Sequence, residues 1–377
     1  MMLTIVAVLA VGLIADGSVR VEGRGGTTVG GQDPSSAGVS ADLTARASGP
    51  DGALRLALSP STVLASEGSQ LFVRGFGEAD WRLRAGAWVR LRQALGYGSI
   101  DLSPVAPGAA VGPVQPPPGS RFVSVQESSS SLELDVLASR RLHLVASAAW
   151  LVTGGADDEA RRSFPLSRGP HLRGYFDWSA TRLDTLRLEL QAFDDRYSNG
   201  RRASVIGLAA GWRVLLARGT ELSLSLGPAV GRARTLDQPA ATVAYVVGAA
   251  DLRAAPLREL TTSVGASIEP LGDPLSGELV ERGSLRAAAI WDRPRVLSLA
   301  ARLLGSVVLT SGTGSPTSPQ AGDRYLQAEL SATVPLDARS GITAGARAAF
   351  LSRPLLDQPT GQWVAFVAYA AQVPLLR

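Results

Sequence analysis

Residues that could do chemistry are few and far apart. Across 377 residues there is no cysteine, and histidine occurs only at His143 and His171. Thiol catalysis, thiolate metal sites and a disulfide framework are therefore excluded. Metal sites and acid–base machinery need His, Cys or carboxylates gathered at ligand spacing, and neither histidine has such company in the sequence. Asp157-Asp158-Glu159 could offer oxygens to Ca²⁺, but the run lacks the alternating acidic spacing of a calcium loop and reads as a solvated tip. Gly25-Gly26 and Gly154-Gly155 have no phosphate-loop context and mark flexibility. The expectation is a protein that is not an enzyme, with no cofactor and no metal.

Arginine is what the chain has in quantity. All 37 basic side chains are arginine, set against 33 carboxylates for a formal net charge of +4. These charges are scattered, where a nucleic-acid binder would concentrate them in a patch or run. Nucleic acid is therefore not an expected partner.

The elements that hold these charges follow from a repeated period of two. Trp81 to Arg92 places Trp81, Leu83, Ala85, Ala87, Val89 and Leu91 on one parity, and Arg82, Arg84, Gly86, Trp88, Arg90 and Arg92 on the other. A helix would spread these arginines around its circumference, whereas a strand gives one apolar and one cationic face. Leu186, Leu188, Leu190 and Ala192 alternate with Arg187, Glu189 and Gln191, and Leu222, Leu224 and Leu226 with Ser223, Ser225 and Gly227. The pattern predicts strands over 53–64, 69–78, 80–96, 121–138, 140–153, 168–180, 183–196, 201–216, 219–232, 241–253, 256–269, 279–292, 295–309, 323–335, 339–352 and 361–374, with a further segment at 39–47 of unsettled role.

These segments are longer than the ~5–6 residues of a soluble strand and match the ~9–11 that cross a bilayer at a tilt. Tight breaks near 79, 139, 181, 217, 254, 293 and 337 alternate with longer ones at 97–120, 154–167, 233–240, 270–278, 310–322 and 353–360. That is the pattern of short periplasmic turns and longer outer loops. Trp81, Trp178, Trp212 and Trp291 fall near the tight turns, and Trp150 and Trp363 near the long loops, as two interfacial belts require. Trp88 sits among the arginines and does not fit. The fold expected is an all-β, closed antiparallel transmembrane barrel of about sixteen strands, within a range of about 14 to 18.

The apolar opening Met1 to Ala15 is too short to cross a bilayer as a helix and suits a signal peptide over 1–17, with Ala15-Asp16-Gly17 as a cleavage site. Residues 18–38 read as a flexible leader and 39–377 as the barrel. Parity then places Arg55, Arg74, Arg82, Arg84, Arg90, Arg92, Glu133, Asp135, Arg173, Asp177, Arg187, Glu189, Arg213, Arg286, Arg302, Glu329 and Arg347 on the inner wall, with His143 beside them. On the lipid face each charge would cost about 2–4 kcal/mol at mid-depth, so a wet lumen is expected. The arginines in this set outnumber the carboxylates.

The alternating strands, the arginine-bearing turns such as Ser139-Arg140-Arg141 and the Pro-rich loop before Arg121 resemble uncharacterised outer-membrane β-barrel proteins of myxobacteria and related Gram-negative bacteria, over roughly residues 39–374. The resemblance is one of architecture and implies no particular activity. The functional expectation is an integral barrel in contact with outer-membrane lipid, acting as a passive pore for small polar or anionic solutes. The alternative is a non-transporting interaction barrel with a plugged lumen; leader 18–38 and loop 97–120 could serve as plugs. Oligomeric state is left open.

Overall fold

The computed structural model describes residues 13–29, 35–65, 68–101, 122–234, 240–274, 276–311, 323–352 and 360–376. They form one antiparallel sheet of 18 strands that closes on itself. In chain order the strands are β1 (Leu13–Val29), β2 (Ser36–Gly49), β3 (Gly52–Ala65), β4 (Gly68–Arg84), β5 (Ala87–Asp101) and β6 (Phe122–Ser139). Next come β7 (Leu142–Gly155), β8 (Ser167–Ser179), β9 (Asp184–Tyr197), β10 (Arg202–Ala217), β11 (Thr220–Arg234) and β12 (Ala241–Leu257). The last six are β13 (Leu260–Gly272), β14 (Leu279–Arg293), β15 (Leu297–Ser311), β16 (Arg324–Pro335), β17 (Ser340–Ser352) and β18 (Thr360–Leu376). A single short helix, α1 (Asp158–Ser163), is described between β7 and β8.

Eighteen strands replace the expected sixteen because both segments before residue 50 belong to the wall. The stretch 18–38, expected as a flexible leader, is mostly strand: β1 pairs with β18 from Ala15↔Leu376 to Val29↔Gly361 and with β2 on its other side. The unsettled segment 39–47 lies in β2, which pairs with β3. Ala15-Asp16-Gly17 also sits within β1, and residues 1–12 of the expected signal segment lie outside the described residues. Closure through β1–β18 satisfies the backbone groups that two sheet edges would otherwise expose to lipid.

A second correction concerns Trp81 to Arg92. It is a hairpin: β4 ends at Arg84, Ala85-Gly86 turn, and β5 begins at Ala87. Gly86 takes φ 77°, the left-handed conformation such a two-residue turn favours. The tight turn expected near 254 is likewise at 258–259, after β12 has run on to Leu257. The connections at one end of the barrel are all tight, and both β1 and β18 have their chain-terminal ends there. The other end carries the longer connections, with β3 and β4 the exception, joined there across residues 66–67.

The face exposed around the barrel is apolar. Leu83, Leu188, Leu224, Leu299 and Leu330 are all exposed in the isolated chain, with Trp150, Trp178, Trp212 and Trp363. Their sequence neighbours point to the partly buried inner face.

At the long-loop end the wall folds in on itself. β12 and β13 pair from Leu257↔Leu260 only as far as Gly248↔Ile268, while β13 and β14 stay paired up to Gly272↔Leu279. The tip of the β13–β14 hairpin thus parts from β12 and swings inward as a flap. Three strand spacings of about 4.8 Å separate β13 from β10 along a wall, yet the flap reaches β10. Leu279, Tyr197, Ala203, Val205, Ala229 and Tyr245 form one buried cluster. Asn199 Nδ2 donates to the Ser276 carbonyl (2.8 Å), and Arg201 donates to Ser276 O (2.9 Å) and Glu278 Oε1 (3.0 Å). The Glu281 carboxylate accepts from the Val246 backbone N–H at 3.0 Å, bridging to the freed stretch of β12. Glycine makes the overlap possible: a Cβ on Gly231 would come within 2.5 Å of both Leu279 and Tyr245.

Candidate functional site

The inner wall is the candidate site, and the strand register determines which of its charges meet. Side chains directly opposite on neighbouring strands share a face. Glu78↔Arg92 and Asp80↔Arg90 join β4 to β5, and Arg90↔Glu133 joins β5 to β6. Arg90 donates to Asp80 (2.5 Å) and to Glu133 (2.7 Å), and Arg92 to Glu78 (2.5 Å). Glu133 also lies 3.6 Å from Arg92. On β6, Asp135 holds His143 of β7 at 2.8 Å, and the imidazole packs edge-on to Tyr175.

The same construction recurs around the barrel. Arg187 makes two bonds of 2.7 Å to Asp177 and lies over the Tyr175 ring at 4.3 Å; Arg213 stands 3.9 Å from Asp177. Arg173 donates to Glu189 at 2.7 Å. Glu329 lies between Arg347, which donates to it twice, and Arg302 at 3.7 Å. Arg286 donates to Asp251 at 2.5 Å, Arg74 to Glu127 at 2.5 Å, and Arg20 and Arg24 both to Glu22. Such a belt is stable only where water or a partner compensates each ion. The charges named above have partners on their own or a nearby strand, whereas Arg46 and Arg55, opposite each other across β2 and β3, are exposed and form no ion pair among the described residues.

Two expectations change. Arg82, Arg84, Arg90 and Arg92 do not form one row. The hairpin places Arg90 and Arg92 among carboxylates, whereas Arg82 and Arg84 lie exposed beside the tight turn, Arg82 opposite Trp88. Trp88 is thus a turn-end residue rather than a mid-strand one. The excess of arginine over carboxylate is also smaller than the parity reading gave. Glu78, Asp80, Glu127, Asp251 and Glu22, absent from the parity list, supply the partners. Glu78 and Asp80 were legible in principle, since they share parity with Arg82. Glu22 was hidden in the stretch read as leader.

His171 also finds a carboxylate, Asp195 at 3.0 Å, and stacks on Phe193. Among the described residues no group of three or more His, Cys, Asp or Glu gathers to hold a metal. Asp157 caps α1 by accepting from the Ala160 N–H at 2.8 Å. The acidic tip is therefore a helix start, with Asp158 and Glu159 in its first turn. α1 tucks Ala160 and Phe164 against Phe72, Val123 and Val125, a second inward-folded segment at the long-loop end. Most of loop 97–120, expected as a fold-back, lies outside the described residues.

A closed barrel of 18 antiparallel strands, apolar outside and charged inside, is an integral outer-membrane β-barrel. Residues 90–373, well over half of the chain, match the EpsX exopolysaccharide export family, and the chain belongs to that family. No curated protein matches it. Among solved structures it resembles OccK2 (OpdF) of Pseudomonas aeruginosa, determined in complex with glucuronate (TM-score 0.52, 14% identity, 97% of this chain and 98% of that one). It also resembles OccAB2 of Acinetobacter baumannii (TM-score 0.51, 10% identity, 97% and 99%). The F5-1 variant of the FrpB iron transporter of Neisseria meningitidis gives a TM-score of 0.54 at 9% identity. That match covers 90% of this chain, which spans 63% of the FrpB chain. At these identities the likeness is one of fold.

Proposed function

We propose that the protein is an outer-membrane channel through which a polysaccharide leaves the cell, with tight turns in the periplasm and long connections outside. Membership of an exopolysaccharide export family carries this reading. The lumen supports it. An 18-stranded barrel is wide enough to hold an aqueous channel. Its wall offers guanidinium donors and carboxylate acceptors to sugar hydroxyls, and aromatic faces at Trp88, Phe76 and Tyr175 to the apolar C–H faces of sugar rings. Most of the lumen arginines are matched by carboxylates, so the wall offers donors and acceptors side by side. Beside the expected passage of small polar or anionic solutes, such a lumen suits a hydroxyl-rich chain.

The flap and α1 give the plugged-barrel alternative a definite form: a lumen narrowed at its outer end in the resting state, opened for passage by movement of the flap. Deleting the gene in a polysaccharide-producing strain should abolish surface polysaccharide and retain it inside the outer membrane, with recovery on re-expression. Normal surface polysaccharide in the deletion strain would overturn the reading. Epitope tags in the connection 156–166 should be reached by antibody on intact cells, and tags at 140–141 or 218–219 only after permeabilisation.

A further inference from the structure

On the outer face, a group of arginines stands outside the matched pattern. Arg168, Arg196, Arg202 and Arg234 occupy successive strands β8, β9, β10 and β11 in a single cross-strand row: Arg168↔Arg196, Arg202↔Arg196 and Arg202↔Arg234. Arg232 follows on β11, one outward position nearer mid-membrane. All five are exposed. All five have the parity of the outer face, shared with Leu172, Leu190, Leu208 and Leu226. The one carboxylate among them, Asp194, is taken by Arg202 through bonds of 2.6 and 2.7 Å. Among the described residues no carboxylate forms an ion pair with Arg168, Arg196, Arg232 or Arg234.

Like charges directly opposite one another on adjacent strands repel, so this row is costly without a counter-charge. Its height indicates where that charge comes from. On β10 the outward residues below Arg202 are Ser204, then Ile206, Leu208, Ala210 and Trp212, which lie in the apolar band; on β11 Arg232 directly follows Val230. At about 3.4 Å per residue and a tilt near 40°, Arg202 stands roughly 10 Å above Ile206. That is the level of the polar headgroups flanking a hydrocarbon core about 30 Å thick. Guanidinium forks bind phosphate oxygens in pairs.

We infer that the outer face of β8–β11 at the long-loop end binds the phosphate of an anionic glycolipid headgroup in the outer leaflet. The site holds lipid rather than cargo, because the row points away from the lumen. The inference rests on the outward orientation of the long connections proposed above. The tag experiment tests that orientation separately, so the two can fail independently.

The test uses the full-length protein in detergent and in phosphatidylcholine nanodiscs. Lipid A is the probe, read by native mass spectrometry and by titration, with inorganic phosphate as a parallel arm. The variant Arg168→Gln/Arg196→Gln/Arg232→Gln/Arg234→Gln is compared with wild type and with an Arg293→Gln/Arg295→Gln control at a tight turn. Heat-dependent migration in SDS verifies that each is folded. With each arginine near an anionic surface worth roughly fivefold in affinity, lipid A binding should fall at least a hundredfold in the row variant and stay within twofold in the control. Arg→Lys at the same four positions should retain most of the binding. Equal binding by wild type and the row variant would overturn the inference, as would a row that binds inorganic phosphate as tightly as lipid A.

Discussion

Arg187 and Arg196 lie on the same strand, β9, on opposite faces, and their surroundings differ completely. Arg187 points inward, pinned by two bonds to Asp177 and stacked on Tyr175. Arg196 points outward, beyond the last leucine of the apolar band, with other arginines on both sides. Over most of the strand's length the outward face tolerates no charge at all, and the inward face tolerates only charge that is matched. Where the outward face does become cationic, at the long-loop end, its one carboxylate, Asp194, is taken by Arg202 and the other arginines are unmatched. The same residue type is thus used in two ways, set by what lies beyond each face: water and carboxylates inside, lipid outside.

Substitutions that move charge between these settings should show the difference, and the largest effect belongs to the lipid band. Leu224→Arg should lower stability in lipid vesicles by about 2–4 kcal/mol, while Ser225→Arg on the opposite face of β11 should cost less than about 1 kcal/mol. Urea unfolding in vesicles measures both, and equal costs would show that the faces are misassigned. Asp177→Ala should cost about 1–3 kcal/mol, because it strips charge-assisted bonds from Arg187 and removes the acid nearest Arg213. Asp177→Ala/Arg187→Ala should recover part of that loss. Smallest of all is Asp158→Ala. Its pair with Arg161 joins a side chain that is 94% exposed, and the change should stay within about 0.5 kcal/mol.

Strands with leucine on the lipid face were legible almost to the residue. The segments 183–196 and 323–335 correspond to β9 (Asp184–Tyr197) and β16 (Arg324–Pro335). Legibility failed where a physical cause hid the period. At Ala85-Gly86 a two-residue turn reverses parity, but the register shift between Arg82 and Arg84 reverses it back. The alternation therefore runs unbroken through a hairpin. In β1 the outward positions after Val19 and Val21 are Gly23 and Gly25, which carry no hydrophobic signal, so the closing strand resembled a leader. Leu279 has lipid-facing parity on β14, yet it is buried because the flap turns its outer face against the inner face of β11 and β12. No local pattern encodes that overlap; it depends on glycines several strands away, such as Gly231.

Whether the flap controls passage can be measured directly, because the chain contains no cysteine. A Cβ built on Gly272 lies 3.6 Å from the Ala203 Cβ, within the separation a disulfide spans. It also meets the Tyr197 hydroxyl, so the lock is best built as Gly272→Cys/Ala203→Cys with Tyr197→Phe. Single-channel conductance in planar bilayers and surface polysaccharide on cells are compared with the lock oxidised and reduced. The account predicts low conductance and lost surface polysaccharide when oxidised, both restored by reductant, with the Tyr197→Phe parent unaffected by either treatment. Full conductance and normal export through an oxidised lock, with the bond verified by mass spectrometry, would contradict it.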